Sequence, residues 1–397
     1  MKKGVLLILF LLLVGCSRTY DRPNIVIIGL DAARADQVSE ATMPNLMKFE
    51  RDGFIFKNAI TQAPWTLPSF MTMFTGVYPS HHKLTNRYVL TEGLPEVKLS
   101  PAIKTLAEML KAQGYATGGF TGDAGVLGRY GYSRGFDIYV DNITFGGFNG
   151  SVPLALQWLS RTREPFFLFV HGYEAHGKYT LPPNFFNNRF NISPARWEYY
   201  RNKTIWRRNF SITPEEQAAW LRWDDQKLSL LDQRLKPLLD KLATLDNTIV
   251  VVMSDHGEGF YEHKMFDHGP NVYDEVAKVV LMLKLPNRKG MIINDQVGLI
   301  DVLPTLMKLT GQKCNQCEAR GLFTGGNDQF TETDYLYDFY LRSLRTKDGW
   351  KLIYDMAAEN WEMYDLDKDP LEQHNVAEEY PTRFKAMKKK VLDFIKS

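Results

Sequence analysis

The chain is short of most features that would set it outside the ordinary globular enzymes. It has no excess of charge of either sign: 48 Lys and Arg against 46 Asp and Glu leave +2. No polybasic face is implied, and nucleic acid is not expected as a partner. Internal repeats are absent. Cysteine is scarce, with three in 397 residues, which excludes a disulfide-built scaffold. Apolar runs long enough to span a bilayer are lacking too, since the longest, Val5 to Val14, stops well short of the roughly 18 residues a spanning helix needs.

That short run, preceded by Lys2-Lys3, has the shape of a signal h-region. It ends in Leu13-Val14-Gly15-Cys16, which resembles a bacterial lipobox. Residues 1–15 are therefore read as a lipoprotein signal peptide, Cys16 as the lipid-modified mature N-terminus, and 16–23 as a tether to the membrane. Each acyl methylene buried in lipid contributes about 0.8 kcal/mol, so several chains anchor stably. Ser17 after the cysteine points to the periplasmic face of an outer membrane in a Gram-negative source; otherwise the extracellular face of the cell membrane is expected. In an exported protein, Cys314 and Cys317 read as a local disulfide, because no second pair exists to complete a zinc site and no thioredoxin-like context surrounds them.

The remaining residues alternate apolar strands with amphipathic helices, the pattern of an α/β sheet covered by helices on both faces. Ile25–Leu30, Phe166–Val170, Thr248–Met253 and Val279–Leu283 are near-continuous apolar runs, as buried parallel strands are. Met43–Phe49, Leu106–Lys111, Asp301–Leu306 and the long stretch Gln226–Leu242 carry helical spacing. Between residues 178 and 222 the pattern breaks into a segment rich in aromatics, Asn and Arg, including Trp197, Tyr199, Tyr200, Trp206, Arg207 and Arg208. Two readings fit it: an irregular excursion over an active-site rim, or a helical insertion whose aromatics pack on the domain. Residues 24–310 are assigned to the main domain and 311–397 to a small C-terminal α+β subdomain.

Two of the apolar strands end in side chains suited to a metal. Asn24–Leu30 leads to Asp31, with Arg34 just beyond as a local ion-pair partner, and Thr248–Met253 leads to Ser254-Asp255-His256-Gly257. Between them lies Ala63-Pro64-Trp65-Thr66-Leu67-Pro68-Ser69. In this order, and with Met363-Tyr364-Asp365-Leu366-Asp367-Lys368-Asp369-Pro370-Leu371-Glu372 near the C-terminus, the chain resembles the sulfatase branch of the alkaline phosphatase superfamily. That last segment suggests a strand, an Asp/Pro turn and a helix start.

The resemblance implies a metal site of Asp31, Thr66, Asp255 and His256, with Gly257 permitting an unusual backbone where the last two converge. It implies one divalent ion, Zn or Mn by ligand type, with Ca or Mg as alternatives. Two departures bear on the reaction. Sulfatases carry a second aspartate where this chain has Ala32, and a Cys or Ser, oxidised to formylglycine, where it has Thr66. Threonine cannot become that aldehyde. A phosphorylated threonine can instead be attacked at phosphorus by water or an alcohol. The set resembles the single-metal sites of phosphoglycerol and phosphoethanolamine transferases, so phosphate mono- or diesters are expected as substrates through a Thr66 covalent intermediate. A sulfatase without formylglycine is the alternative; a non-catalytic glycan- or lipid-binding lipoprotein is the alternative of another class.

Of eight histidines, His171, His176, His256, His263 and His268 cluster in the strand-end segments. Glu174, His176 and His268 are read as contacts to a small-molecule, glycan or lipid-headgroup ester, or as ligands of a second metal. His171 and His263 are read as residues that orient others, and His81-His82 as loop histidines.

Overall fold

The computed structural model describes residues 22–86, 97–122, 125–142, 146–177, 190, 192–336 and 338–397. Cys16 and the signal segment lie outside the described residues, as do 178–189 and 191 of the 178–222 stretch. No helix among the described residues is long and apolar enough to cross a membrane.

The centre is a nine-stranded mixed sheet. Its strands are β1 (Asn24–Leu30), β2 (Phe54–Ile60), β3 (Ala116–Phe120), β4 (Ile138–Val140), β5 (Phe166–Gly172) and β6 (Thr248–Ser254). After a small separate hairpin of β7 (Gly259–Phe260) and β8 (Phe266–Asp267) come β9 (Lys278–Val279), β10 (Leu281–Lys284) and β11 (Ile292–Gly298). The order across the sheet is β11-β2-β10-β6-β1-β5-β3-β4, with β9 on β2. β6, β1 and β5 run parallel in the middle, and Leu30 stands level with both Ser254 and Gly172. All residues of these three strands are buried, which is why they read as unbroken apolar runs. The single strand expected at Val279–Leu283 is instead β9 and β10, both antiparallel to β2.

Alternate residues of the central strands feed two cores. Ile25, Ile27, Phe167, Phe169, Ile249 and Val251 pack with the helices Thr66–Thr75, Leu106–Ala112 and Val302–Leu309. Val26, Ile28, Leu168, Val170, Val250 and Val252 face the helices Pro44–Phe49, Phe148–Leu159 and Pro214–Leu242. The last of these starts twelve residues earlier than its apolar spacing suggests. Thr213 accepts from the Glu216 amide, Pro214 occupies the first turn and Glu215 and Glu216 face the positive helix end.

Of the two readings of 178–222, the described residues take the helical one. A helix spans Pro194–Ile205, and Trp197, Tyr200, Trp220 and Trp223 are buried together with Phe260 and Phe266 of the hairpin.

The C-terminal part is an antiparallel sheet of β12 (Gln329–Tyr335), β13 (Phe339–Arg345), β14 (Trp350–Asp355) and β15 (Asn360–Asp365). Leu344, Leu352 and Met363 pack on Met387 and Val391 of the terminal helix Pro381–Lys396. The helix start expected near Leu371-Glu372 is absent. Asp369 to Glu372 form a turn, and the Glu372 carboxylate accepts from the Asp274 amide at 2.6 Å. Cys314 and Cys317 are bonded to each other, as expected.

Candidate metal centre and nucleophile

The parallel register of β1 and β6 delivers Asp31 and Asp255 to neighbouring strand ends. Beyond Asp31 the chain turns sharply through Ala32, whose φ of +56° lies in the left-handed region. That turn points the Ala32 amide at Asp255 Oδ1, 3.1 Å away. The His256 amide donates to the same oxygen at 3.0 Å, and Ser69 Oγ holds the Asp255 carbonyl at 2.7 Å. The expectation for Gly257 needs correction: its φ is not left-handed. Glycine is required because a Cβ there would lie 2.1 Å from the Glu275 carbonyl oxygen.

Thr66 is the first residue of the ten-residue buried helix Thr66–Thr75. Its Oγ1 lies 3.3 Å from Asp31 Oδ2 and 3.4 Å from His256 Nε2. Negative charge developing on this oxygen meets the positive end of the helix, an effect of about 0.3–2 kcal/mol. Gly125 passes so close that a Cβ would come within 2.4 Å of the threonine Cβ. His171, which the sequence suggests as an orienting residue, has that place. Its Nδ1 accepts from the Gly122 amide at 3.4 Å, so Nε2–H donates to Asp31 Oδ2 at 3.2 Å.

Each ligand candidate keeps one atom open. His256 Nδ1–H donates to the Gly257 carbonyl at 2.7 Å, which leaves a lone pair on Nε2. Among the described residues, Asp31 Oδ1 and Asp255 Oδ2 are buried without a hydrogen-bond partner. One atom from each of Asp31, Asp255 and His256 falls within 4.8 Å of the others. Burial, with Asp255 adding to it, pushes Asp31 up to about 8. Burial pushes Asp255 upward too, but His256, His171 and the Ala32 amide together outweigh it and hold that carboxyl below its usual range. Two desolvated carboxylates facing each other are costly unless a cation joins them. The donor set and the open oxygens therefore fit a divalent ion.

His268 and His176 stand at the edge of this group: the His268 ring lies 4.1 Å from His256 and 4.9 Å from His176. Glu174 is not gathered with them. Its Oε1 accepts from the Phe148 amide at 2.6 Å and from Arg234 at 3.2 Å, capping the helix Phe148–Leu159. The second-metal set Glu174, His176 and His268 is thus not assembled. The carboxylates beside His268 are Glu258 and Asp267, which sequence reasoning missed, although Glu258 directly follows the Asp255-His256-Gly257 turn. His263 lies elsewhere, bonded to Glu275 at 2.8 Å and stacked on Tyr273. His82 is buried between Thr72 and the Leu84 amide, with burial pushing it down to about 3, and does not line the site. Arg34 is the expected ion-pair residue, joined to Asp36 and Glu262.

Comparisons with known proteins give the family of the chain. Residues 23–312 fit the family model described as Sulfatase, and residues 261–397 fit that of N-sulphoglucosamine sulphohydrolase, C-terminal. The chain belongs to the sulfatase family of hydrolases. It is 24% identical over 265 residues to the uncharacterized sulfatase YidJ of Escherichia coli, covering 60% of this chain and 52% of that protein. The chain thus accounts for about half the length of that relative. It is 25% identical to a Delta 4,5-hexuronate-2-O-sulfatase of Bacteroides thetaiotaomicron, covering 91% of this chain and 86% of that one. Its fold is also similar to the phosphonate monoester hydrolase of Agrobacterium radiobacter, with a TM-score of 0.70 at 18% identity over 94% of this chain and 95% of that one. The positions where the resemblance implies a second aspartate and an oxidisable residue hold Ala32 and Thr66. The Ala32 methyl brings no third carboxylate to the cluster, and its amide instead orients Asp255.

Proposed function

We propose that this sulfatase-family protein is a metal-dependent hydrolase or transferase of phosphate mono- or diesters, acting on a glycan or lipid-headgroup ester through Thr66. The observation that carries the reading is the Thr66 hydroxyl, a group that cannot be oxidised to formylglycine. It stands 3.3 Å from a buried carboxylate at the start of a buried helix. Asp31, Thr66, Asp255 and His256 would hold one divalent ion, Zn or Mn by donor type, which when bound lowers the pKa of the hydroxyl and offsets charge on the transferring group. Asp31 Oδ2, which accepts from the Thr66 hydroxyl, would receive its proton as Oγ1 attacks phosphorus and the ester alcohol departs. Water or an acceptor alcohol then attacks phosphorus of phospho-Thr66 and restores the hydroxyl. His171 holds Asp31 in place, and His268 and His176 flank the position of the leaving oxygen. Export and attachment through lipidated Cys16 would set this chemistry at a membrane surface.

The sulfate-ester reading is favoured by the names of the matched relatives. It requires water to cleave a sulfated threonine directly, because the collapse open to a formylglycine hydrate is closed to Thr66. Matched nitrophenyl phosphate monoester, phosphate diester and sulfate ester, assayed on one preparation, test the proposal. A phosphate ester is expected to exceed the sulfate ester in kcat/KM by at least about tenfold, or 1.4 kcal/mol. A preference for sulfate would establish the second reading.

A further inference from the structure

We infer that Glu258 and Asp267 are positioning residues that clamp Nδ1 of His268 and so assign its Nε2 to proton exchange with the leaving oxygen; this rests on the Thr66 reading above. The β7–β8 hairpin pairs Gly259 with Asp267 and brings Glu258 and His268 face to face at its open end. His268 Nδ1 lies 3.1 Å from Glu258 Oε1 and 3.2 Å from Asp267 Oδ1. Both carboxylates are buried. Only the contact to Glu258 has hydrogen-bond geometry; the clamp has Glu258 accept from Nδ1–H, with Asp267 beside it.

The clamp is itself held from outside. Arg201, on the Pro194–Ile205 helix of the insertion, donates through Nε to Asp267 Oδ2 at 2.7 Å and through Nη2 to the Tyr335 hydroxyl at 3.2 Å. Asp267 has a φ of +86°, a conformation that a non-glycine residue keeps only where its surroundings over-determine it. Phe260 and Phe266 anchor the hairpin among Trp197, Tyr200 and Trp220. Buried Lys227 donates to the carbonyl of Ala175, next to His176, and pairs with Asp224 at 3.0 Å.

With Nδ1 committed, Nε2 is the nitrogen that remains for chemistry, on a ring set against His256. A carboxylate on the far nitrogen fixes the tautomer and stabilises the ring when it carries a second proton, as the aspartate does in a Ser-His-Asp triad. The step starts from His268 with a proton on both nitrogens: as the bond from phosphorus to Thr66 forms and that to the alcohol oxygen breaks, Nε2–H passes its proton to the departing oxygen and leaves a neutral ring with Nδ1–H on Glu258. On the return step the same nitrogen takes a proton from the attacking water or alcohol, which restores His268.

The test combines a double-mutant cycle with a measurement that needs no turnover. Glu258→Gln, His268→Gln and the double variant are assayed on phosphate and on sulfate esters of alcohols that differ in acidity. Glu258→Gln is expected to lower kcat by about 10–100-fold for poorly leaving alcohols. KM should stay within about twofold, the loss should shrink for nitrophenyl leaving groups, and metal content should not change. The double variant should be no slower than His268→Gln alone. Long-range nitrogen NMR of histidine-labelled wild-type protein should show a proton on Nδ1 of His268. Failure of the phosphoester reading would appear as turnover of the sulfate series with the coupling intact. Additive losses, equal losses for every leaving group, or a proton on Nε2 alone would overturn the clamp. So would loss of one metal equivalent in Glu258→Gln, which would place a cation between the two carboxylates.

Discussion

Two of the buried charge clusters among the described residues are built in opposite ways. At the seam between the main sheet and the C-terminal sheet, Lys351 Nζ lies 2.8 Å from Asp274 and 2.7 Å from Glu372, and Arg345 stands 3.4 Å from Asp274. Burial would raise Asp274, but Lys351 and Arg345 outweigh it and hold that carboxyl down at about 2. At the strand ends, the ion-pair contacts of Asp31 and Asp255 among the described residues are with histidines. Each keeps a buried oxygen with no partner, and Asp31 is pushed up to about 8. Where only cohesion is at stake, the fold supplies its own cations. On the proposed reading an ion and a substrate would enter at the strand ends, and carboxylate oxygens are left open there at a cost in stability.

The sharpest way to break this comparison is at the open cluster. Thr66→Ala should keep the fold and lose at least about a thousandfold in kcat, since members of a nucleophilic unit fail together; steady-state kinetics and a circular dichroism spectrum check both halves. If most turnover survived, direct attack by a metal-activated hydroxide would be the better mechanism. The closed cluster should respond oppositely. Lys351→Met strands two buried carboxylates and should cost about 3–5 kcal/mol of stability in a denaturant titration, with kcat per folded molecule unchanged.

A smaller effect follows from the sign of the Asp31 shift. Its raised folded pKa favours the native state at low pH, and that contribution is lost as pH rises toward about 8. In metal-stripped protein, Asp31→Asn should therefore melt above wild type at pH 8, with the gap narrowing at pH 5. Differential scanning calorimetry at the two pH values reads it, and an unchanged gap would remove Asp31 as the source. Cys16→Ala should leave kinetics and melting untouched while releasing the protein from the membrane fraction or blocking signal cleavage. Normal processing and attachment in that variant would refute the lipid anchor.

The parts legible in the sequence were those set by local order along the chain. β1, β5 and β6 are apolar because both sheet faces are covered, and Asp31, Asp255 and His256 follow their strands directly. What escaped depends on direction in space. Glu174 is two residues from His176, but its side chain turns to cap the helix at Phe148. Glu258 and Asp267 meet His268 only through the register of a two-residue hairpin. The strained turn falls at Ala32 and not at Gly257, because the need for glycine there is space beside Glu275 and not a left-handed φ. The 178–222 stretch looked irregular by composition, yet Thr213-Pro214-Glu215-Glu216 carries a helix-start signal that its aromatic content obscures.

The most direct test of the account is the chemical state of Thr66 itself. Purified protein is mixed with a nitrophenyl phosphate ester, quenched in acid during turnover, and its Thr66 peptide is sequenced by mass spectrometry. The account predicts unmodified threonine before mixing and phosphothreonine at Thr66 after it, with no phosphopeptide from Thr66→Ala. An oxidised residue before mixing, or turnover with the phosphoryl group found on another side chain, would contradict it.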